Sequence, residues 1–181
     1  ATYVKAWDGI RKLFARQPKA RKRGYTPVTF SFNSGKGRCP ACEGAGYERI
    51  EMQFLSDVFL ICSVCEGKRF IPEVLEVTWS GLSIADMLAL SVSEVIDLLP
   101  ASSAAHKQLK TLARVGLGYL SLGQPLATLS GGEAQRLKIA HHLGQAKTDG
   151  ALFLLDEPTT GLHLADVDRL IVNLEELVAA G

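Results

Sequence analysis

No stretch of this sequence approaches the roughly 20 consecutive apolar residues that a membrane-spanning helix requires. That excludes a helical membrane protein, and the beginning of the chain lacks the apolar core of a secretory signal. The net charge is only +1 over 181 residues, so bulk charge selects no partner. A complete phosphate loop, Gly-x-x-x-x-Gly-Lys followed by Ser or Thr, is also missing. Ser34-Gly35-Lys36-Gly37 is a decoy: Phe30 stands where the first Gly belongs, and Gly37 stands where the magnesium-binding hydroxyl belongs. Cysteine is scarce, with four in all, and their spacing makes them informative. Hydrophobic residues at 47% and charged residues at 22% are ordinary for a soluble globular chain. A first residue that is not Met, and a helical pattern running up to Gly181, suggest a fragment of a longer chain.

Charge is uneven where it counts. Lys5, Arg11, Lys12, Arg16, Lys19, Arg21, Lys22 and Arg23 face a single acid, Asp8, in residues 1–23. Such a cluster can contact nucleic-acid phosphates, or it can be a solvated basic face.

Cys39, Cys42, Cys62 and Cys65 form two Cys-x-x-Cys pairs with 19 residues between them. A two-residue gap lets both thiolates of a pair turn toward one ion, and two such knuckles complete a tetrahedral zinc site. Gly44 and Gly67 follow each knuckle by two residues and permit the tight turn that brings N–H groups to the sulfurs. Two disulfides are the competing reading, disfavoured by the regular spacing and the lack of a secretion signal. A redox pair is disfavoured by the duplication. A site closed by four protein ligands should fold the module rather than catalyse. Residues 47–54 alternate polar and apolar over part of their length and, with Val58–Ile61, predict a hairpin with an inward apolar face.

Residues 83–118 predict helices. Ser83 and Ser91 are N-cap candidates with Asp86 and Glu94 three positions on. Ile84, Met87, Leu88, Val95, Ile96 and Leu99 have helical spacing up to Pro100. Leu109, Leu112 and Val115 form a second core stripe.

Two later segments carry chemistry. Leu129–Gln135, with Ser130 and Glu133 in capping-box spacing, predicts a helix that runs to about Gly144. Gly131 and Gly132 leave its N-terminal N–H groups open to a phosphate. Residues 151–155 are continuously apolar and predict a strand buried on both faces of a parallel sheet. Asp156 and Glu157 follow at the strand end, where a carboxylate can hold magnesium through its water shell and another can orient a water. Val167, Leu170, Ile171, Leu174, Leu177 and Val178 predict an amphipathic helix. His163 reads as a loop residue, and His106, His141 and His142 as helix-surface residues.

The combination of Leu129–Gln135 with Leu154-Leu155-Asp156-Glu157-Pro158-Thr159-Thr160-Gly161-Leu162-His163 is similar to ABC-type ATPases. Together with the two knuckles, and with Gly24–Pro27, Phe30–Asn33, Gly37–Cys39 and Leu122–Pro125, it resembles the UvrA family, which recognises damage for the bacterial UvrABC excision nuclease. The resemblance implies an α/β fold: part of an ABC-type ATPase domain with the P-loop NTPase fold, an inserted four-cysteine zinc module and a helical signature region. It divides the chain into a basic lead-in (1–38), a zinc module (39–78), a helical region (79–128) and the signature helix, Walker B strand and following helix (129–181). It implies that Ser130, Gly131 and Gly132 contact the terminal phosphate of one ATP and that Gln135 fixes the signature segment. Asp156 would serve the magnesium of a different ATP, and Glu157 would act on its water. Expected cofactors are ATP, Mg2+ and Zn2+. Expected partners are damaged double-stranded DNA, a UvrB-like repair protein and a second copy of the full-length protein, in the cytoplasm and within the SOS response. The phosphate loop is expected before Ala1 and the switch histidine beyond Gly181, so these residues alone should not hydrolyse ATP. Ser34–Gly37 and Ser56 differ from the usual wording of the repair enzyme and suggest a UvrA-like paralogue serving drug tolerance or regulation. Cys39–Gly46 also resembles the zinc repeat of the DnaJ chaperone, which implies a stand-alone interaction module as a further alternative.

Overall fold

Proline, glycine and serine punctuate this chain into short helices and two small hairpins. A computed structural model describes residues 2–52, 57–143, 152, 154–160 and 164–179. The elements are α1 (Ala6–Ala15), α2 (Pro18–Lys22), β1 (Tyr47–Ile50), β2 (Val58–Ile61), α3 (Pro72–Leu75), β3 (Thr78–Trp79), β4 (Leu82–Ser83), α4 (Ile84–Ala89), α5 (Val92–Leu98), α6 (Ala104–Arg114), α7 (Gly131–Leu143) and α8 (Leu164–Ala179). β1 pairs antiparallel with β2, and β3 with β4. The chain divides into two compact units, residues 10–87 and residues 1–9 with 88–181.

The first unit has an aromatic core. Phe14, Phe30 and Phe70 are fully buried; the Phe14 and Phe30 rings lie 5.6 Å apart, and Tyr25 meets Phe30 edge-on at 6.2 Å. Pro18 opens α2 at a position where its missing N–H costs nothing. Two of the basic residues near this helix are locally engaged. Lys19 and Arg23 both hold Glu76, at 2.8 and 2.5 Å, and Arg23 donates to the Glu73 carbonyl. The Lys19 ammonium, with Arg23 beside it, holds the Glu76 carboxyl below its ordinary range. Arg16, Arg21 and Lys22 are exposed.

In the second unit, the cap expected at Ser91 forms, and a second cap joins it. Ser91 and Glu94 close a full capping box at the start of α5. Ser103, which the spacing did not single out, caps α6 by accepting from the His106 N–H. α5 stops before Pro100, as the ring requires. In the first unit, Asp86 accepts from the Ser83 N–H and hydroxyl. The expected core positions Ile84, Met87, Leu88, Val95, Leu99, Leu109, Leu112 and Val115 are buried, and Ile96 is half-buried.

The expected doubly covered strand at 151–155 is not formed among the described residues. Leu152 and Leu154 are 85% and 90% exposed, without strand pairing. Ala151 and Phe153 lie outside the described residues. An apolar strand is stable only when neighbours take its backbone hydrogen bonds and cover its side chains, and no described strand does so here. The described sheets are small and antiparallel, so of the α/β expectation only helices with small sheets are present among the described residues, and no parallel sheet is. No described helix is long and apolar enough to cross a membrane.

Candidate metal centre and signature helix

The metal centre begins with two backbone turns of identical wording, Cys-Glu-Gly. Glu43 and Gly44 after the first knuckle, and Glu66 and Gly67 after the second, all take left-handed φ, between 50° and 86°. Glycine is required at 44, where a Cβ would come within 1.9 Å of the Phe32 carbonyl oxygen. These turns aim backbone donors inward. Gly46 N–H donates to Cys42 Sγ at 3.2 Å and Arg69 N–H to Cys65 Sγ at 3.4 Å, the same i+4 relation in both knuckles. The knuckles are tied together by Cys62 N–H to Gly46 O at 3.1 Å and Cys39 N–H to Arg69 O at 2.8 Å.

All four sulfurs are buried and lie within 4.8 Å of one another. Cys42 and Cys65 Sγ are 3.6 Å apart. A zinc–sulfur bond of about 2.3 Å gives a tetrahedral edge of about 3.8 Å, so the four sulfurs could hold zinc. None of the cysteines is in a disulfide, which removes that alternative. Burial pushes the Cys65 thiol up to about 12, while the Cys65 backbone N–H pulls Cys62 down. Thiol protons would be released on binding a cation such as zinc. The Arg69 guanidinium carbon stands 5.4 Å from the Phe32 ring centroid, and burial draws its basicity down. Spacing found the four cysteines but not Arg69, whose placement depends on the fold.

β1 and β2 extend from this centre in the register Tyr47↔Ile61 to Ile50↔Val58. The hairpin is as expected, but its inward apolar face is not. All four residues of β2 are exposed, Ile61 at 74%. The ladder is held instead by Arg49 to Asp57 at 2.5 Å and by the Tyr47–Phe59 edge contact. Phe54, Leu55 and Ser56 lie outside the described residues.

The second candidate site is the start of α7. Ser130 and Gly131 are exposed. Glu133 N–H donates to Ser130 Oγ at 3.2 Å, and Ser130 N–H donates to Glu133 Oε2 at 2.7 Å, the expected capping box. The Tyr119 hydroxyl donates to the other Glu133 oxygen. That bond, with the Ser130 N–H, holds the Glu133 carboxyl below its ordinary value. The two glycines differ. Nothing lies within 4 Å of a Cβ built on Gly131, whereas one on Gly132 would stand 2.7 Å from the Thr160 carbonyl oxygen. Gly131 is thus open to a ligand, and Gly132 is a seat for the chain itself. Gln135 is half-buried one turn into the helix.

Asp156 and Glu157 are exposed. Glu157 opens a turn closed by Thr160 N–H to its carbonyl at 3.0 Å, and it takes a left-handed φ of 42°. The Thr160 hydroxyl donates to Glu157 Oε2 at 3.1 Å. Arg136, buried, donates to the Thr160 carbonyl at 3.4 Å. Sequence reasoning missed Tyr119, Arg136 and the contact of Arg136 with Thr160, because α7 shows no amphipathic stripe that would mark its buried side. His141 and His142 are half-buried, with Tyr3 against the His141 ring at 5.1 Å, rather than on the surface. Gly144 and His163 lie outside the described residues.

No family model matches the chain. Proteins described as UvrABC system protein A are similar along all of it: 52% identical in Aquifex aeolicus, 52% in Thermus thermophilus and 50% in Methanothermobacter thermautotrophicus. The crystal structure of UvrA2 from Deinococcus radiodurans superposes with a TM-score of 0.93 at 52% identity, over 100% of this chain and 22% of that one. The chain is UvrA-like from end to end. It spans only 19–20% of the length of those three curated relatives. Identity does not separate the two kinds of relative, since UvrA2 and the Aquifex protein stand at the same 52%. The UvrA-like segment therefore carries a cysteine cluster that could hold zinc, an exposed signature tip and an exposed carboxylate turn.

Proposed function

We propose that this UvrA-like chain is the zinc-bearing and signature-bearing portion of an ATP-dependent DNA-damage recognition protein in nucleotide excision repair. The observation that carries the reading is the pairing, within one unit, of an open helix start at Ser130–Gly131 with a turn presenting Asp156 and Glu157. The helix start offers unpaired N–H groups and a positive dipole end, suited to the terminal phosphate of one ATP. Gln135 would steady that segment. Asp156 would hold the magnesium of a second ATP bound by a phosphate loop on the same ATPase half, and Glu157 would orient its attacking water. The full-length protein would thus hydrolyse ATP at divided sites of P-loop NTPase type, which these 181 residues do not complete. Zn2+ would be held by Cys39, Cys42, Cys62 and Cys65 and would fold the hairpin module. Exposed Arg16, Arg21 and Lys22 suit duplex phosphates, and a sensor of varied lesions would read deformability rather than bases. Partners under this reading are damaged duplex DNA, a UvrB-like protein and a second copy.

A second reading is a UvrA-like paralogue serving drug tolerance or regulation, since a solved structure titled UvrA2 matches at the same 52% identity as the Aquifex protein. Binding of the full-length protein to lesion-bearing and intact duplex, measured in each nucleotide state and with a UvrB-like protein added, separates the readings. Lesion preference with transfer to the second protein supports repair. Lesion preference without transfer supports the paralogue, and equal binding in every state overturns both.

A further inference from the structure

We propose that Arg136 and Thr160 are positioning residues that fasten Glu157 to the start of the signature helix; this rests on the functional reading above. Arg136 is 2% exposed, and its Nε has no hydrogen-bond acceptor among the described residues. A buried guanidinium that leaves a nitrogen without an acceptor costs more than an apolar side chain of similar volume would at this helix position. Its Nη1 donates to the Thr160 carbonyl, and its charge also faces the Tyr119 hydroxyl and the Glu133 carboxylate. The same carbonyl oxygen presses on Gly132, where a Cβ would stand 2.7 Å away. The Thr160 carbonyl is therefore seated in a notch made by one helical turn of α7, Gly132 below and Arg136 above.

Thr160 is bifunctional. Its carbonyl is gripped by α7, and its hydroxyl donates to Glu157 Oε2. Glu157 is exposed and in a left-handed conformation. An exposed carboxylate on a strained turn has no packing to fix its direction, so the Thr160 hydroxyl and the closing N–H are what aim it. Gly131 faces open space while its neighbour faces Thr160. A shift of the helix start on meeting a phosphate at Gly131 would thus pass through Gly132 to the residue that orients Glu157.

The test uses the full-length protein, steady-state ATP turnover and binding of a fluorescent ATP analogue. Thr160→Val removes the hydroxyl, keeps the carbonyl and alters an exposed side chain. The expected result is a fall in kcat of about tenfold with KM within about twofold, since positioning is lost and binding is not. Thr160→Ser, which keeps the hydroxyl, should restore at least half the wild-type kcat. Arg136→Lys should retain more turnover than Arg136→Met; should the methionine variant not fold, the Thr160 pair decides alone. A wild-type rate in Thr160→Val, or equal damage in Thr160→Ser, overturns the proposal. Glu157→Gln run in parallel separates the failures. If it turns over normally, the functional reading itself falls; if it is impaired while Thr160→Val is not, only this inference falls.

Discussion

The cysteine cluster and the signature region are built on opposite plans. Every sulfur, every N–H aimed at a sulfur and both supporting turns of the cluster come from residues 39–69. The signature region has exposed chemistry on each side, Ser130 and Gly131 at one point and Asp156 and Glu157 at the other, with Thr160 between. The comparison teaches that the cysteine cluster converges its donors on its own centre, while the start of α7 and the 156–160 turn face their polar groups outward, as the proposed division of the site between two nucleotides would require.

The largest expected break falls on the closed side. Cys62→Ala removes one of four buried ligands, and three thiolates do not close the site. Metal content should drop from one zinc per chain to none, with the 39–69 segment losing its fold; zinc retained at full stoichiometry would show the ligand set is wrong. Next comes Glu157→Gln in the full-length protein. ATP should still bind, and turnover should fall about 100-fold or more, the scale on which a positioned base contributes; steady-state assays decide. On the inner side of the divided site, Gly132→Ala should destabilise by about 1–3 kcal/mol because its Cβ meets a backbone carbonyl. Gly131→Ala should fold as well as the parent, since its Cβ meets nothing and Ala favours helix by up to about 1 kcal/mol. Thermal melts of the pair test that contrast.

Smaller effects follow pH. Glu133 is held below its ordinary value by the Tyr119 hydroxyl and the Ser130 N–H. Its contribution is present above the unfolded carboxylate range of about 4.3 and is lost as pH falls through the folded value. Melting temperature should decline below about pH 4, and Glu133→Ala should flatten part of that decline while costing about 1 kcal/mol of capping at neutral pH. On the metal side, thiol protons would be released on binding zinc. Zinc affinity should therefore weaken steadily as pH falls from about 8 to 5, measurable by competition with a chelating dye.

The same contrast explains what the residues disclosed in advance. Cys39, Cys42, Cys62 and Cys65 were legible because ligand spacing is local, and Ser91–Glu94 and Ser130–Glu133 because capping is decided within four residues. The core stripes followed from helical periodicity. The apolar run ending at Leu155 misled, because a strand's burial depends on neighbours that periodicity does not describe. The exposed β2 misled likewise, since alternation predicts a covered face without saying what covers it. Arg136 and Thr160 were invisible because they are 24 residues apart and neither belongs to a spacing rule. The roles proposed for Ser130, Asp156 and Glu157 rest on resemblance as much as on geometry, since neither the start of α7 nor the 156–160 turn closes on a centre of its own.

Calorimetric titration of this chain with zinc, and separately with ATP and magnesium, tests the contrast most directly. The account predicts one zinc per chain with proton release, and no measurable heat from ATP, because the cluster is complete in these residues and the nucleotide site is not. Stoichiometric ATP binding that disappears on replacing Asp156 with Asn, or zinc binding that four intact cysteines fail to support, would contradict it.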